Sequence, residues 1–253
     1  EVAIVDFAEQ LKHAGIELLI VPVPAKATVA ATHLPIDSTP DNDAALQTFL
    51  QRLRDKGIDV LDLKPALLQV QAQKDTLAYL RTDTHWSPQG MQAAADAMTA
   101  WLTSKGLAPK PLPSVERSAR TVAIRGDLIQ LRDGADGPPS ETISLQTPTS
   151  TGPAFDRDAP VLLLGDSHAL IYSAGGDMHA EGAGLGEHLA AQMGRPVDRI
   201  AVRGSGSTAS RISLLRRQDQ LKGKKAVIWV FAARDLTESD GWRKVPIIDT
   251  DGT

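Results

Sequence analysis

Asp83 and His85 stand two residues apart in the run Arg81-Thr82-Asp83-Thr84-His85-Trp86-Ser87. Far downstream, Ser167 follows the apolar run Val161-Leu162-Leu163-Leu164 within Gly165-Asp166-Ser167-His168. Each segment supplies what the other lacks. A hydroxyl is a weak nucleophile until a neighbouring imidazole takes its proton, and the imidazole works best when a carboxylate fixes its tautomer and orientation. Side chains at i and i+2 of an extended backbone point the same way. The Asp83 carboxylate is therefore expected to bond one imidazole nitrogen and leave the other for Ser167. Asp83, His85 and Ser167 are the candidate catalytic residues, and the chemistry they predict is acyl transfer to or from oxygen.

Each of these residues also has a plainer reading. A lone Gly-Asp-Ser turn favours Ser167 as a helix cap, and His85 alone reads as a histidine packed beside Trp86. The coexistence of all three residues favours the nucleophile. Asp-x-His with no third ligand nearby is an incomplete metal set, so no metal is expected, and His168 and His179 are assigned to ordinary packing or exposure. Gly165 permits a tight turn, which Asp166 is expected to organise. The backbone N–H of Ser167 and that of Gly204 or Gly206 are candidate oxyanion donors. Tyr172 is a candidate wall of an acyl pocket. Arg203 and Arg234 are candidates for contacting an anionic or hydroxyl-rich acceptor, with pairing to a neighbour such as Asp235 as the alternative.

The elements around these residues alternate between helix and strand. Apolar spacing predicts helices over 2–14, 46–56, 89–105, 186–193 and 207–221, and strands over 16–23, 58–63, 161–164, 197–202 and 226–231. The strand runs are rich in Val, Ile and Leu, as expected for parallel strands buried on both faces. The fold class is therefore α/β, a doubly wound and mostly parallel sheet flanked by helices. In such sheets functional groups gather beyond the carboxyl ends of the strands, which is where Ser167, Arg203 to Gly206 and Arg234 fall. Ser87 is placed to cap the helix that opens at Pro88, putting His85 on the loop just before a helix N-terminus. The polar tract 108–160, interrupted by apolar runs at 122–131 and 142–145, is read as an insertion or excursion with short strands within a single domain spanning 1–253.

Composition narrows the function classes. The chain has 253 residues, a net charge of -4 and no cysteine, so thiol nucleophiles, thiolate metal sites and disulfides are excluded. No basic cluster suggests nucleic acid as a partner, and the Arg and Lys residues of 210–225 are assigned to the outer face of a surface helix. No apolar run is long enough to span a membrane, and no signal-peptide pattern is present. The chain opens at Glu1 without Met and is read as trimmed, with the missing upstream part as the place where a signal peptide or membrane anchor could lie.

Gly-Asp-Ser after a strand, with Asp and His close together, resembles the SGNH (GDSL-like) hydrolase superfamily. The order is permuted, with Asp83 and His85 ahead of Ser167 and one residue between them. In that order, Asp-Thr-His-Trp is similar to the alginate O-acetyltransferases of the AlgJ and AlgX type. Val21-Pro22-Val23-Pro24-Ala25-Lys26 and Arg125-Gly126-Asp127-Leu128 add to the likeness, which runs from about Val2 to Arg234. It implies Ser167 as the acyl-accepting nucleophile, His85 as general base and Asp83 as its orienting partner, with no cofactor. It implies a periplasmic enzyme that moves acetyl groups from a donor onto hydroxyls of alginate or a similar exopolysaccharide. A membrane-bound O-acyltransferase partner would supply the acetyl groups. No Gly-x-Asn-Asp block is present, so backbone or other side-chain donors are expected to form the oxyanion hole. The chain stops soon after the last strand, which makes the AlgJ-like arrangement the nearer comparison. An SGNH-type carbohydrate O-acetylesterase is the alternative, since a triad serves either outcome. A non-catalytic polysaccharide-binding subunit of an acetylation complex is the third reading, and the 4% aromatic content speaks against an extensive sugar-stacking platform.

Overall fold

The computed structural model describes residues 1–30, 43–134, 136–149, 152–204, 207–238 and 241–248. Strands β1 (Glu17–Val23), β2 (Asp59–Val60), β5 (Val161–Gly165), β6 (Asp198–Ala201) and β7 (Ala226–Ala232) form one parallel sheet in the order β2-β1-β7-β5-β6. The three central strands are buried almost throughout, which explains their unbroken apolar runs.

Alternation along these strands splits the core in two. Leu19, Val21, Val23, Val161, Leu163, Ile228 and Val230 face one side, beneath α4 (Lys64–Gln71), α5 (Pro88–Ser104) and α7 (Leu185–Met193). Leu18, Ile20, Leu162, Leu164, Val227, Trp229 and Phe231 face the other, beneath α1 (Val2–His13), α3 (Ala44–Asp55) and α8 (Thr208–Arg216). Two further short helices, α2 (Lys26–Val29) and α9 (Asp235–Glu238), follow β1 and β7 directly. The segment 241–248 closes the second face, with Val245 and Ile247 in the core and Gln10 bridging to the Val245 carbonyl and the Ile247 N–H at 3.0 and 2.8 Å.

Within the 108–160 tract lie β3 (Arg117–Ile124), α6 (Asp127–Asp133) and β4 (Glu141–Pro148), the two strands forming a separate antiparallel pair. Ile124, Ile143 and Leu145 tuck this ribbon onto the first face of the core.

Several expectations need correction. The strand expected over 58–63 pairs only at Asp59 and Val60, because Asp62 then accepts the Lys64 N–H at 2.9 Å and starts α4, with Pro65 in its first turn. The run 122–131 is half strand and half helix, divided at Gly126. The helix expected over 207–221 ends at Arg216. Gln218, Gln220 and Leu221 adopt φ values of 55°, 49° and 58°, outside the helical region. Nor do all the basic residues of 210–225 lie on an outer face. Arg211 is fully buried, its guanidinium 5.0 Å over the Trp229 ring and bonded to the carbonyls of Ser207 and Arg243 at 3.1 and 2.8 Å. Lys224 is buried beside Asp198 at 2.9 Å.

Candidate active site

The Ser167 turn is built by glycine and aspartate. A Cβ on Gly165 would lie 2.9 Å from the Val230 carbonyl oxygen and 3.1 Å from the Ala169 Cβ, so β5 can run this close to β7 and then turn only with glycine there. Asp166 then holds the turn. One carboxylate oxygen accepts the His168 N–H at 2.8 Å and the His168 ring at 3.0 Å, and the other accepts the Ala232 N–H at 2.7 Å. Burial opposes ionisation of Asp166, but the His168 ring and these donors outweigh it and hold its pKa below the ordinary value. Ser167 opens a 3-10 turn, Ser167–Ala169, whose capping side chain is Asp166. The hydroxyl of Ser167 is thus not engaged as the cap.

The loop carrying Asp83 and His85 is fastened on every side. Tyr79 and Trp86 form an antiparallel bridge, and the Leu80 N–H donates to the His85 carbonyl at 3.1 Å. Ser87 caps α5, its hydroxyl oxygen accepting the Gly90 N–H at 3.0 Å. Lys26, the first residue of α2, donates to the carbonyls of Arg81 and Asp83 at 3.0 Å each. Glu141 of β4 accepts the backbone N–H groups of Arg81 and Thr82 at 3.1 and 2.9 Å. Asp127 of α6 accepts the Thr84 N–H at 2.7 Å and the Thr84 hydroxyl.

Asp83, His85 and Ser167 meet. The Asp83 Oδ1 lies 2.6 Å from His85 Nδ1, and His85 Nε2 lies 2.7 Å from the Ser167 Oγ. An ionised carboxylate can only accept, so Nδ1 carries the proton and Nε2 is the free base facing Ser167. The means of alignment differs from the expected extended backbone. Asp83 Oδ1 also accepts the backbone N–H of His85 at 2.9 Å, an Asx-type turn that brings the two side chains together. Asp83 and His85 are 1% and 7% exposed, whereas Ser167 is half-buried. Burial would raise the Asp83 pKa, yet the hydrogen bonds from His179 and His85 hold it well below the carboxylate range.

The outer oxygen of Asp83 engages two donors that sequence reasoning missed: the Asp127 N–H at 3.0 Å and the His179 Nε2 at 2.8 Å. The expectation of ordinary packing or exposure for His179 is overturned by that contact. Its only sequence signal is the glycine-rich stretch from Gly175 to Gly182, which permits the tight turn that aims it. His168 does pack, its ring 5.0 Å from both His85 and Trp86.

The remaining candidates are more scattered. Tyr172 is fully buried, so it does not line an open pocket. Its hydroxyl donates to the Trp86 carbonyl at 2.8 Å and braces the peptide next to His85. Gly204 is exposed with φ +75°, and Gly206 lies outside the described residues. Arg203 is paired with Asp177 at 2.7 Å, both about half exposed. Arg234 is exposed and lines a cleft of about 440 Å³ with Phe49, Leu236 and Trp242, whose walls include none of the three candidate catalytic residues. Asp83, His85 and Asp127 offer ligand atoms within 4.8 Å of one another. Their oxygens are already committed to N–H and O–H donors, so the donor set suits proton transfer better than a cation.

Ser167 follows the carboxyl end of β5 in a parallel α/β sheet, and the loop before α5 brings His85 and Asp83 into hydrogen-bonded sequence with it, an arrangement that SGNH-like hydrolases share with other α/β serine enzymes. The chain belongs to the family described as the SGNH hydrolase-like domain of the acetyltransferase AlgX, whose model matches residues 1–233. It is 30% identical over 246 residues to a probable alginate O-acetylase AlgJ of Pseudomonas aeruginosa, covering 90% of this chain and 61% of that protein. Among solved structures, the O-acetyltransferase domain of Pseudomonas putida AlgJ superposes with a TM-score of 0.70 at 23% identity, over 92% of this chain and 81% of that one. Pseudomonas aeruginosa AlgX does so with a TM-score of 0.60 at 21% identity, over 88% and 54%. The chain thus spans about three-fifths of the length of the AlgJ relative it matches.

Proposed function

We propose that this chain is one catalytic unit that moves an acetyl group through Ser167 onto hydroxyls of an exopolysaccharide, alginate or a similar polymer. The observation that carries the reading is the run Asp83–His85–Ser167 at 2.6 and 2.7 Å in a chain of this family. His85 Nε2 takes the proton of Ser167 as Oγ attacks the acetyl carbonyl. The Oγ–C bond forms, the donor's C–O bond breaks, and His85 returns the proton to the leaving oxygen. A sugar hydroxyl then gives its proton to His85 and attacks the acetyl-Ser carbonyl, and Ser167 leaves with that proton. Asp83 stabilises the imidazolium in both halves. In the reading drawn from the family resemblance, the site faces the bacterial periplasm and a membrane-bound O-acyltransferase delivers the acetyl groups.

Incubation with 4-nitrophenyl acetate, with and without a manno- or mannuronate oligosaccharide, tests the proposal. Acetylated sugar detected by mass spectrometry, lost in Ser167→Ala, is the expected outcome. Acetate alone would make the protein an esterase. Polymer acetylation in cells that survives Ser167→Ala would make it a binding subunit.

A further inference from the structure

We propose that His179 is a positioning residue for the triad, a second imidazole that holds the carboxylate of Asp83 from the side opposite His85. This rests on the catalytic reading given above. Four donors converge on Asp83: the N–H and Nδ1 of His85 on Oδ1, and the Asp127 N–H and His179 Nε2 on Oδ2. A carboxylate gripped at both oxygens cannot rotate, so Oδ1 keeps facing His85 while the imidazole gains and loses its proton. The His179 side chain is 5% exposed, so its bond to Asp83 is shielded from competing water.

The backbone is committed to this aim. His179 has φ +69°, a conformation costly for a residue with a Cβ. It follows the 3-10 turn Gly176–Met178, its N–H donating to the Gly176 carbonyl at 3.0 Å, and the Ala174–Glu181 bridge closes the loop around it. The turn is tied down again where Tyr172 exchanges backbone hydrogen bonds with Met178 and Ala183 at 2.8 and 2.9 Å. That Tyr172 also braces the Trp86 carbonyl. One turn therefore grips both sides of the Asp83–His85 pair.

Removing the donor is expected to loosen the carboxylate and leave the His85 imidazole less firmly aimed at Ser167. The charged groups nearby on other elements, Lys26 after β1, Asp127 on α6 and Glu141 on β4, stay unchanged.

The test compares His179→Met with His179→Gln, side chains of similar length of which only glutamine donates. The hydrolysis of 4-nitrophenyl acetate is followed, with active sites counted from the acylation burst. The expected result is that His179→Met lowers the per-site rate about tenfold to a hundredfold. His179→Gln, which keeps a donor, should stay near the parent rate. Equal behaviour of the two variants, or a parental rate in His179→Met, overturns the proposal, because a packing role alone cannot separate them. A burst that persists in Ser167→Ala would instead overturn the catalytic reading itself, and the positioning role with it.

Discussion

At the scale of single residues, Asp83 is where geometry and charge are most tightly joined. Its Oδ1 must stay an acceptor for His85 Nδ1–H, because that bond leaves Nε2 as the base 2.7 Å from Ser167. Asp83→Asn can place an amide N–H where the acceptor was, which turns the imidazole to the wrong tautomer. A loss of about 10⁴-fold in acyl transfer is expected with little change in fold, read as the ratio of kcat/KM values alongside circular dichroism. Ser167→Ala should abolish the acylation burst altogether, since no Oγ remains to carry the acetyl group. These three residues were legible in the sequence because their types are distinctive and two of them are nearly adjacent. His179 was not. It reaches Asp83 through a left-handed turn 96 positions away, and nothing in a period-based reading of the sequence signals such a contact.

At the scale of elements, the same division holds. The central strands β1, β5 and β7 were readable because both their faces are buried, which forces continuous apolar sequence. The tract 108–160 reads in the sequence only as an insertion with short strands around 122–131 and 142–145, because β3 is exposed at six of its eight positions and carries no apolar alternation over its first half. Yet that excursion completes the site. Glu141 and Asp127 fasten the loop at Arg81, Thr82 and Thr84, and the first turn of α6 gives its N–H to Asp83. The approach depends on Gly126, where a Cβ would lie 1.9 Å from the Thr82 carbonyl oxygen. The two nearest atoms are Thr82 backbone, so turning the Thr82 side chain alone cannot relieve the clash. Gly126→Ala is therefore expected to push α6 off the loop, costing about 1–3 kcal/mol of stability and lowering kcat about tenfold as Asp83 loses a donor. Gly152→Ala, whose Cβ would meet nothing within 4 Å, is the control. Thermal unfolding and ester hydrolysis on the two variants distinguish a local fit at Gly126 from a general intolerance of added methyl groups.

At the scale of the whole molecule, the ribbon must stay docked on the sheet domain, and a buried histidine makes that docking sensitive to acid. His188 of α7 is 1% exposed, and its Nε2–H donates to the Gln146 carbonyl of β4 at 2.9 Å. Its Nδ1 is buried without a partner, so a proton added there meets no acceptor. Burial, with help from the charge of Arg117, lowers its pKa to about 4. The unfolded chain takes up this proton near 6.5, the ordinary histidine value, while the folded chain resists until about 4. The unfolded state thus binds more protons in that window, and stability falls as pH drops through it. Between pH 7.5 and 5 the loss amounts to about 2 kcal/mol. The depressed carboxyl of Asp83 acts only below its ordinary value of 3.8, outside this window. Glu187, whose carboxyl is pushed up by burial despite the Ser173 hydroxyl that donates to it, works in the opposite sense. A substitution that removes only the imidazole separates the two. His188→Gln keeps a donor for the Gln146 carbonyl and cannot titrate. Urea unfolding at pH 7.5 and pH 5 should show the parent losing about 2 kcal/mol more than this variant between the two conditions. Equal losses in both proteins would mean that folded His188 takes up its proton as readily as the unfolded chain does, and the acid-sensitive docking would fail.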